Sequence, residues 1–228
     1  MLYGRRRGRP LRAGQRDTVA ELEPRLAFTL PAEGGLDPTA LFTGAPGAIW
    51  LEIGFGGGEH LAAFAEGFPQ VGFIGCEVYE NGIAKLLGEI SRRDLANVRL
   101  FTDDARLLIA ALAPASIARI FILFPDPWPK ARHKKRRIVS AETLCGLARI
   151  MTDGAELRLA TDDSDYFATM LAVVTAHGDF EWLARRSADW RVRPPDWPPT
   201  RYEEKARAAG RSPSFLRARR RPRRVPCG

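Results

Sequence analysis

Cysteine is scarce in this chain: the 228 residues hold three, Cys76, Cys145 and Cys227. They are far apart and odd in number, and no CxxC or Cys/His cluster occurs. That pattern excludes a disulfide framework and offers no zinc site. Cys76 and Cys145 lie in apolar segments and read as reduced core residues, as in a cytosol. No apolar run approaches the ~20 residues of a membrane span. The Arg-rich start is not followed by a hydrophobic segment of signal-peptide type. Internal repeats are also lacking. These absences describe a soluble, cytoplasmic chain with no implied metal. Its length suits one α/β domain with short extensions, which buries roughly 70% of its unfolded surface without staples.

Acidic residues are missing from particular stretches. Residues 1–16 carry six Arg and no acid, and residues 217–224 carry six more. A third cluster, Lys130 to Arg137, holds six Lys or Arg. The net charge is +8. Without the two termini the balance is −4, and without all three clusters it is −10. Solvated tails would account for the termini alone. An acidic body with three basic segments points instead to a polyanion such as nucleic-acid phosphates.

Periodicity divides the chain into a basic arm (1–17) and a single domain (18–228) with a basic C-terminal end. Residues 18–47 read as a helix and loops packed before the regular part. Short apolar runs at 48–53, 71–78, 97–102, 116–124 and 155–161 read as buried strands. Helical spacing fills 59–68, 80–93, 104–111, 139–151 and 164–177. A Pro/Trp-rich loop (190–199), a short helix (200–209) and a final strand (212–220) complete the chain. Strands alternating with helices predict a doubly wound, mostly parallel, Rossmann-like sheet, with the ligand site beyond the strands' carboxyl ends.

At those ends the chemistry accumulates. Glu52-Ile53-Gly54-Phe55-Gly56-Gly57-Gly58 follows the first strand. Glycines there permit a tight turn and close approach of backbone to ligand. Position 59 is Glu, so the dinucleotide pattern GxGxxG fails. The GxGxG form suits a cofactor with an amino acid end, held by Glu52 and the loop amides. Glu77 ends the second strand, placed for both ribose hydroxyls and against a 2′-phosphate. Asp104 closes the third, placed for an adenine amino group. Each acid alone is more often a helix N-cap; three successive strand ends carrying such groups are not readily accidental.

The fourth strand ends in Phe124-Pro125-Asp126-Pro127-Trp128-Pro129-Lys130. Prolines fix the backbone on both sides of Asp126. Because strand four adjoins strand one in doubly wound sheets, Asp126 is placed over the switch-point crevice.

LEIGFGGGEHL (51–61), GCEVY (75–79), DDA (103–105), LFPDPWPKARHKKRRIV (123–139), ATDD (160–163) and TRYEEKA (200–206) together resemble the tRNA (guanine-N7-)-methyltransferases. The arm YGRRRGRPLRAGQ (3–15) is similar to that family's N-terminal arm, so the resemblance runs from about residue 3 to 220. Pro129 stands where some members have His, and Tyr202 where others have Phe. The resemblance implies a class I fold that uses S-adenosylmethionine to methylate N7 of a guanine in the tRNA variable loop. It implies cofactor contacts at Glu52, Gly54, Gly56, Gly58, Glu77, Asp104 and Asp126, with Asp126 also the acidic residue of the catalytic site. Lys130, Asp162, Thr200, Arg201, Tyr202 and Glu203 would contact the RNA or its guanine. Arg132, Lys134, Lys135, Arg136 and Arg137 would take phosphates. Three alternatives stay open at this point. They are a methyltransferase with another nucleophile, a non-catalytic RNA-binding module on the same scaffold, and a nicotinamide dehydrogenase. The first is opposed by Pro-Asp-Pro-Trp in place of Asn-Pro-Pro-Tyr, the second by the intact glycine loop, and the third by Glu59.

Overall fold

A computed structural model describes residues 6–32 and 35–223. Cys227, Arg224 and the first five residues of the arm lie outside this range. Seven strands form one sheet: β1 (Ala48–Ile53), β2 (Val71–Cys76), β3 (Val98–Phe101), β4 (Ile117–Leu123), β5 (Met151–Thr161), β6 (Phe180–Trp182) and β7 (Ser214–Arg220). Their spatial order is β3-β2-β1-β4-β5-β7-β6. The first five strands run parallel, and β7 is antiparallel to both β5 and β6. Order reverses between β1 and β4, which opens the crevice expected of a doubly wound sheet.

Helices α1 (Ala13–Leu26), α2 (Glu59–Gly67) and α3 (Glu80–Arg93) precede α4 (Ala105–Ala111), α5 (Ala141–Ile150) and α6 (Ser164–Ala176). The short α7 (Ala188–Arg191) and α8 (Arg201–Ala208) follow. Alternation along β1 sends Ile49, Leu51 and Ile53 to one face and Trp50 to the other. The first face packs against Leu108 of α4, Leu144 and Leu147 of α5, and Met170 of α6. The second packs against Leu61 and Phe64 of α2 and against Ile83, Leu86 and Ile90 of α3. Each such fully buried side chain stabilises the fold by about 1.5–3 kcal/mol relative to exposure. This two-sided burial explains why the strands read as continuous apolar runs.

Several boundaries differ from the sequence reading. Strand β5 starts at Met151, four residues early, because its register against β4 jumps between Ile117 and Arg119, and Gly154 takes φ +81° there. An irregularity of that kind hides the alternation. Cys145 is exposed on α5 and is not a core residue. The helix turns its apolar face inward through Leu144 and Leu147 instead. Helix α1 begins at Ala13, inside the stretch read as an arm, and residues 6–9 bond to the start of α3. Gly8 N donates to Asn81 Oδ1 (2.8 Å), Asn81 Nδ2 to Arg9 O (2.7 Å) and Glu80 N to Arg6 O (2.9 Å).

The C-terminal arginines also depart from the expectation of a phosphate-binding cluster. Arg220 and Arg223 both bond Asp153, and both reach carbonyls at the end of α5. Arg217 pairs with Glu156. Those charges fasten β7 to the sheet. No helix among the described residues is long and apolar enough to cross a membrane.

Candidate active site

The carboxyl ends of β1, β2, β3 and β4 surround a cavity of about 370 Å³. Its floor is the glycine loop, where Gly54 (φ +75°), Gly56 (+58°) and Gly58 (+78°) are all left-handed. Gly56 is also the site of a close approach: a Cβ there would lie 2.6 Å from the Tyr202 ring. Across the loop, a Cβ on Gly82 of α3 would collide with Gly56 O. Only glycine fits either place.

Glu77 follows β2 directly. Its carboxylate accepts hydrogen bonds from Gly56 N (2.9 Å), Val78 N (2.8 Å) and Tyr79 N (3.1 Å). Burial pushes its pKa above the ordinary range, the three N–H groups pull it back, and the charge of Asp126 pushes it further up. Asp104 caps α4, accepting from Arg106 N at 3.0 Å. Both acids line the cavity, as do Asp126 and Asp103.

Asp126 is exposed at the cavity mouth, between two non-glycine residues of positive φ, Phe124 (+52°) and Trp128 (+44°). Such conformations cost about 1–3 kcal/mol each and persist only where surroundings enforce them. Here Arg137 does so. It is 3% exposed. Its Nε donates to Pro127 O (2.8 Å), Nη1 to Thr169 Oγ1 (2.7 Å) and Nη2 to Asp165 Oδ2 (2.5 Å). Its guanidinium also stacks 4.6 Å above Tyr166, whose phenol burial pushes up to about 12. The reading of Arg137 as a phosphate ligand is therefore corrected: it clamps the Pro-Asp-Pro loop to α6. Lys134 joins the same acid, Asp165, at 2.9 Å.

Gly54, Gly56, Glu77, Asp104, Asp126 and Arg136 thus converge on one cavity with Tyr202. The Tyr202 ring is near-parallel to Phe124 (19°), centroids 6.5 Å apart. Other residues singled out in the sequence stand elsewhere. Glu52 is buried and bonded to His60 (2.7 Å). Gly58 is the N-cap of α2. Thr200 caps α8 through Glu203 N (3.1 Å), and Glu203 is held by Arg207 and Arg193. Arg201 leans toward Glu59 (4.0 Å), and Asp162 accepts from Arg211 Nε (2.7 Å). Lys130, Arg132 and Lys135 are exposed on the segment after the Pro-Asp-Pro loop. The sequence reading did not single out Phe124, Tyr79 or Arg106, which also line the cavity. Phe124 sits inside the quoted motif. Arg106 lies two residues past Asp104, and only its packing against the site distinguishes it from a solvated helix charge.

Sheet order, glycine loop and the ring of strand-end acids define an S-adenosylmethionine-dependent methyltransferase of the class I fold. A family profile described as "Putative methyltransferase" matches residues 46–215. The tRNA (guanine-N(7)-)-methyltransferase of Rhodospirillum rubrum is 48% identical over 226 residues, 97% of this chain and 88% of the relative. That of Paramagnetospirillum magneticum is 49% identical over 223 residues, with 97% and 93% covered. The chain belongs to the tRNA (guanine-N(7)-)-methyltransferase family. Among solved structures, an rRNA methylase from Streptococcus thermophilus superposes with a TM-score of 0.52 at 14% identity, covering 77% and 87% of the two chains. A 16S rRNA (adenine(1408)-N(1))-methyltransferase from Catenulisporales acidiphilia, a point mutant solved with its cosubstrate, gives 0.52 at 17%, covering 79% and 89%. These two likenesses concern the fold.

Proposed function

We propose that this chain transfers the methyl group of S-adenosylmethionine to N7 of a guanine in the variable loop of tRNA, in the cytoplasm. Residues 18–228 act as the transferase domain, and the basic arm adds affinity for RNA. The observation that carries this reading is the convergence of Glu77, Asp104 and Asp126 on one cavity floored by left-handed glycines. Those residues fit the cosubstrate. Over Gly54, which lines the cavity, a Cβ would meet nothing within 4 Å, so the loop backbone there faces open space. The loop backbone suits the amino acid end, Glu77 the ribose hydroxyls and Asp104 the adenine amino group.

When bound, S-adenosylmethionine supplies a methyl group on a positively charged sulfur. Guanine N7 has an in-plane lone pair and loses no proton on attack, so the chain need not supply a strong base. Its task is to align the reactants. Asp126 stands where its negative charge offsets the positive charge that the purine acquires. Phe124 and Tyr202 offer two aromatic faces to an extruded base. Arg136 at the cavity and the exposed Lys130, Arg132 and Lys135 of the same segment supply positive charge for the backbone phosphates.

The test is methyl transfer from labelled cosubstrate to an unmodified tRNA transcript, paired with one carrying 7-deazaguanine at the variable-loop guanine. Transfer to the first alone is expected. Equal transfer to both would reject that acceptor.

A further inference from the structure

We infer that His60 is a positioning residue of the cosubstrate site, acting through Glu52 on the glycine loop. The inference rests on reading the cavity as that site. Glu52 is the penultimate residue of β1 and His60 the second residue of α2, with the loop between them. The bond from His60 Nδ1 to Glu52 Oε2 (2.7 Å) therefore joins the chain before the loop to the chain after it. Neither residue lines the cavity. On its other side the loop is held to the β2 end, through Gly54 N to Cys76 O (2.8 Å) and Gly56 N to Glu77 (2.9 Å). The Glu52–His60 pair is the corresponding tie behind it.

The surroundings give Glu52 little choice of partner. It is 5% exposed and His60 3% exposed. The imidazole edge packs on Phe64 (4.6 Å) and Phe121 (4.8 Å), which offer no donor. A buried carboxylate without its donor is costly and moves or draws in water. His60 Nε2 is itself buried with no hydrogen-bond partner among the described residues. A side chain serving only to fill this apolar space would be better as Leu, which buries no polar atom. The imidazole is accounted for by what its other nitrogen holds.

Titration of S-adenosylhomocysteine into the full-length chain by calorimetry tests this. His60→Leu keeps the apolar volume and removes the bond. Its Kd is expected to rise about tenfold, the size of coupling in a buried hydrogen-bonded pair. The KM for S-adenosylmethionine should rise alongside it, with the KM for tRNA unmoved. His60→Asn, whose amide can donate to Glu52, should recover most of the affinity. The double variant Glu52→Gln/His60→Leu should bind no more weakly than either single variant. It buries no unpaired carboxylate, so it and His60→Asn carry the test should His60→Leu fail to fold. Unchanged affinity in His60→Leu, multiplying losses in the double variant, or an equal rise in the tRNA KM would each overturn the inference. Failure of the unaltered chain to bind S-adenosylhomocysteine would overturn the reading of the site itself, and this inference with it.

Discussion

Asp126 combines exposure with a strained setting, so its removal separates chemistry from folding. It forms no clamp of the kind Arg137 makes, and Asp126→Asn keeps its shape. The turnover number is expected to fall by about a hundredfold or more, as for other electrostatic groups at a reacting centre. The melting temperature should hold within about 2 °C. Near-normal turnover would place Asp126 outside the chemical step. Glu77 makes a pH-dependent prediction. Its pKa is raised, chiefly by burial. The folded chain without ligand thus holds that proton more tightly than the unfolded chain does. That contribution to stability is complete below the ordinary carboxylate value and is lost as pH rises through the raised one. Acceptance of two ribose hydroxyls needs the charged form, so affinity for S-adenosylhomocysteine should climb across the same window and then level. A flat profile from pH 4.5, the group's ordinary value, up to neutrality would remove Glu77 from the ribose. The acids of the cavity were legible in sequence because each ends a strand, where the fold forces convergence. Glu52 was legible only as an acid near a glycine loop. Its inward turn toward His60 depends on Phe121 of β4, far away in the chain.

Among the elements, the five parallel strands were legible because burial on both faces writes them as unbroken apolar runs. Strand β6 and α7 were not, since three and four residues carry no period. Arginine clusters were the least legible feature: a string of like charges gives no sign of which members find acids in the fold. The Pro-Asp-Pro loop shows the consequence. Arg137 places three hydrogen bonds across it and α6. Lys cannot reproduce that fork with one ammonium. Arg137→Lys is therefore expected to lower the turnover number about tenfold or more, because small displacements of a reacting group are expensive. Cosubstrate affinity should change little, since the glycine loop is not involved. Acid should act in the same direction. Hydrogen bonds from Lys134 and Arg137 hold Asp165 below its ordinary pKa. This contribution is present above the ordinary aspartate value and lost as pH falls through the lower one. Stopped assays returned to neutral pH after brief acid exposure should separate reversible loosening of the loop from unfolding. A cosubstrate Kd that rises as steeply as the turnover falls in Arg137→Lys would contradict this division of labour.

For the whole molecule, the question is which of its positive charges meet RNA. The net charge of +8 counts all of them alike, but the structure divides them. Arg217, Arg220 and Arg223 are committed to Glu156, Asp153 and nearby carbonyls, and Arg137 and Lys134 to Asp165. Lys130, Arg132 and Lys135 are exposed on the segment after the Pro-Asp-Pro loop, whose Arg136 lines the cavity. Each phosphate contact releases counterions, so its loss lowers the slope of log affinity against log salt by about one. Arg132→Ala with Lys135→Ala is therefore expected to reduce that slope by about two for tRNA, with weaker binding at low salt and an unchanged melting temperature. Arg217→Ala with Arg223→Ala should do the opposite, lowering the melting temperature while leaving the slope in place. Each pair removes two positive charges, and the pairs differ only in what that charge touches. Equal slopes for the two double variants would mean that tRNA responds to net charge alone. A loss confined to the first pair would place the RNA backbone along the segment after the Pro-Asp-Pro loop, on the side from which a guanine reaches Asp126.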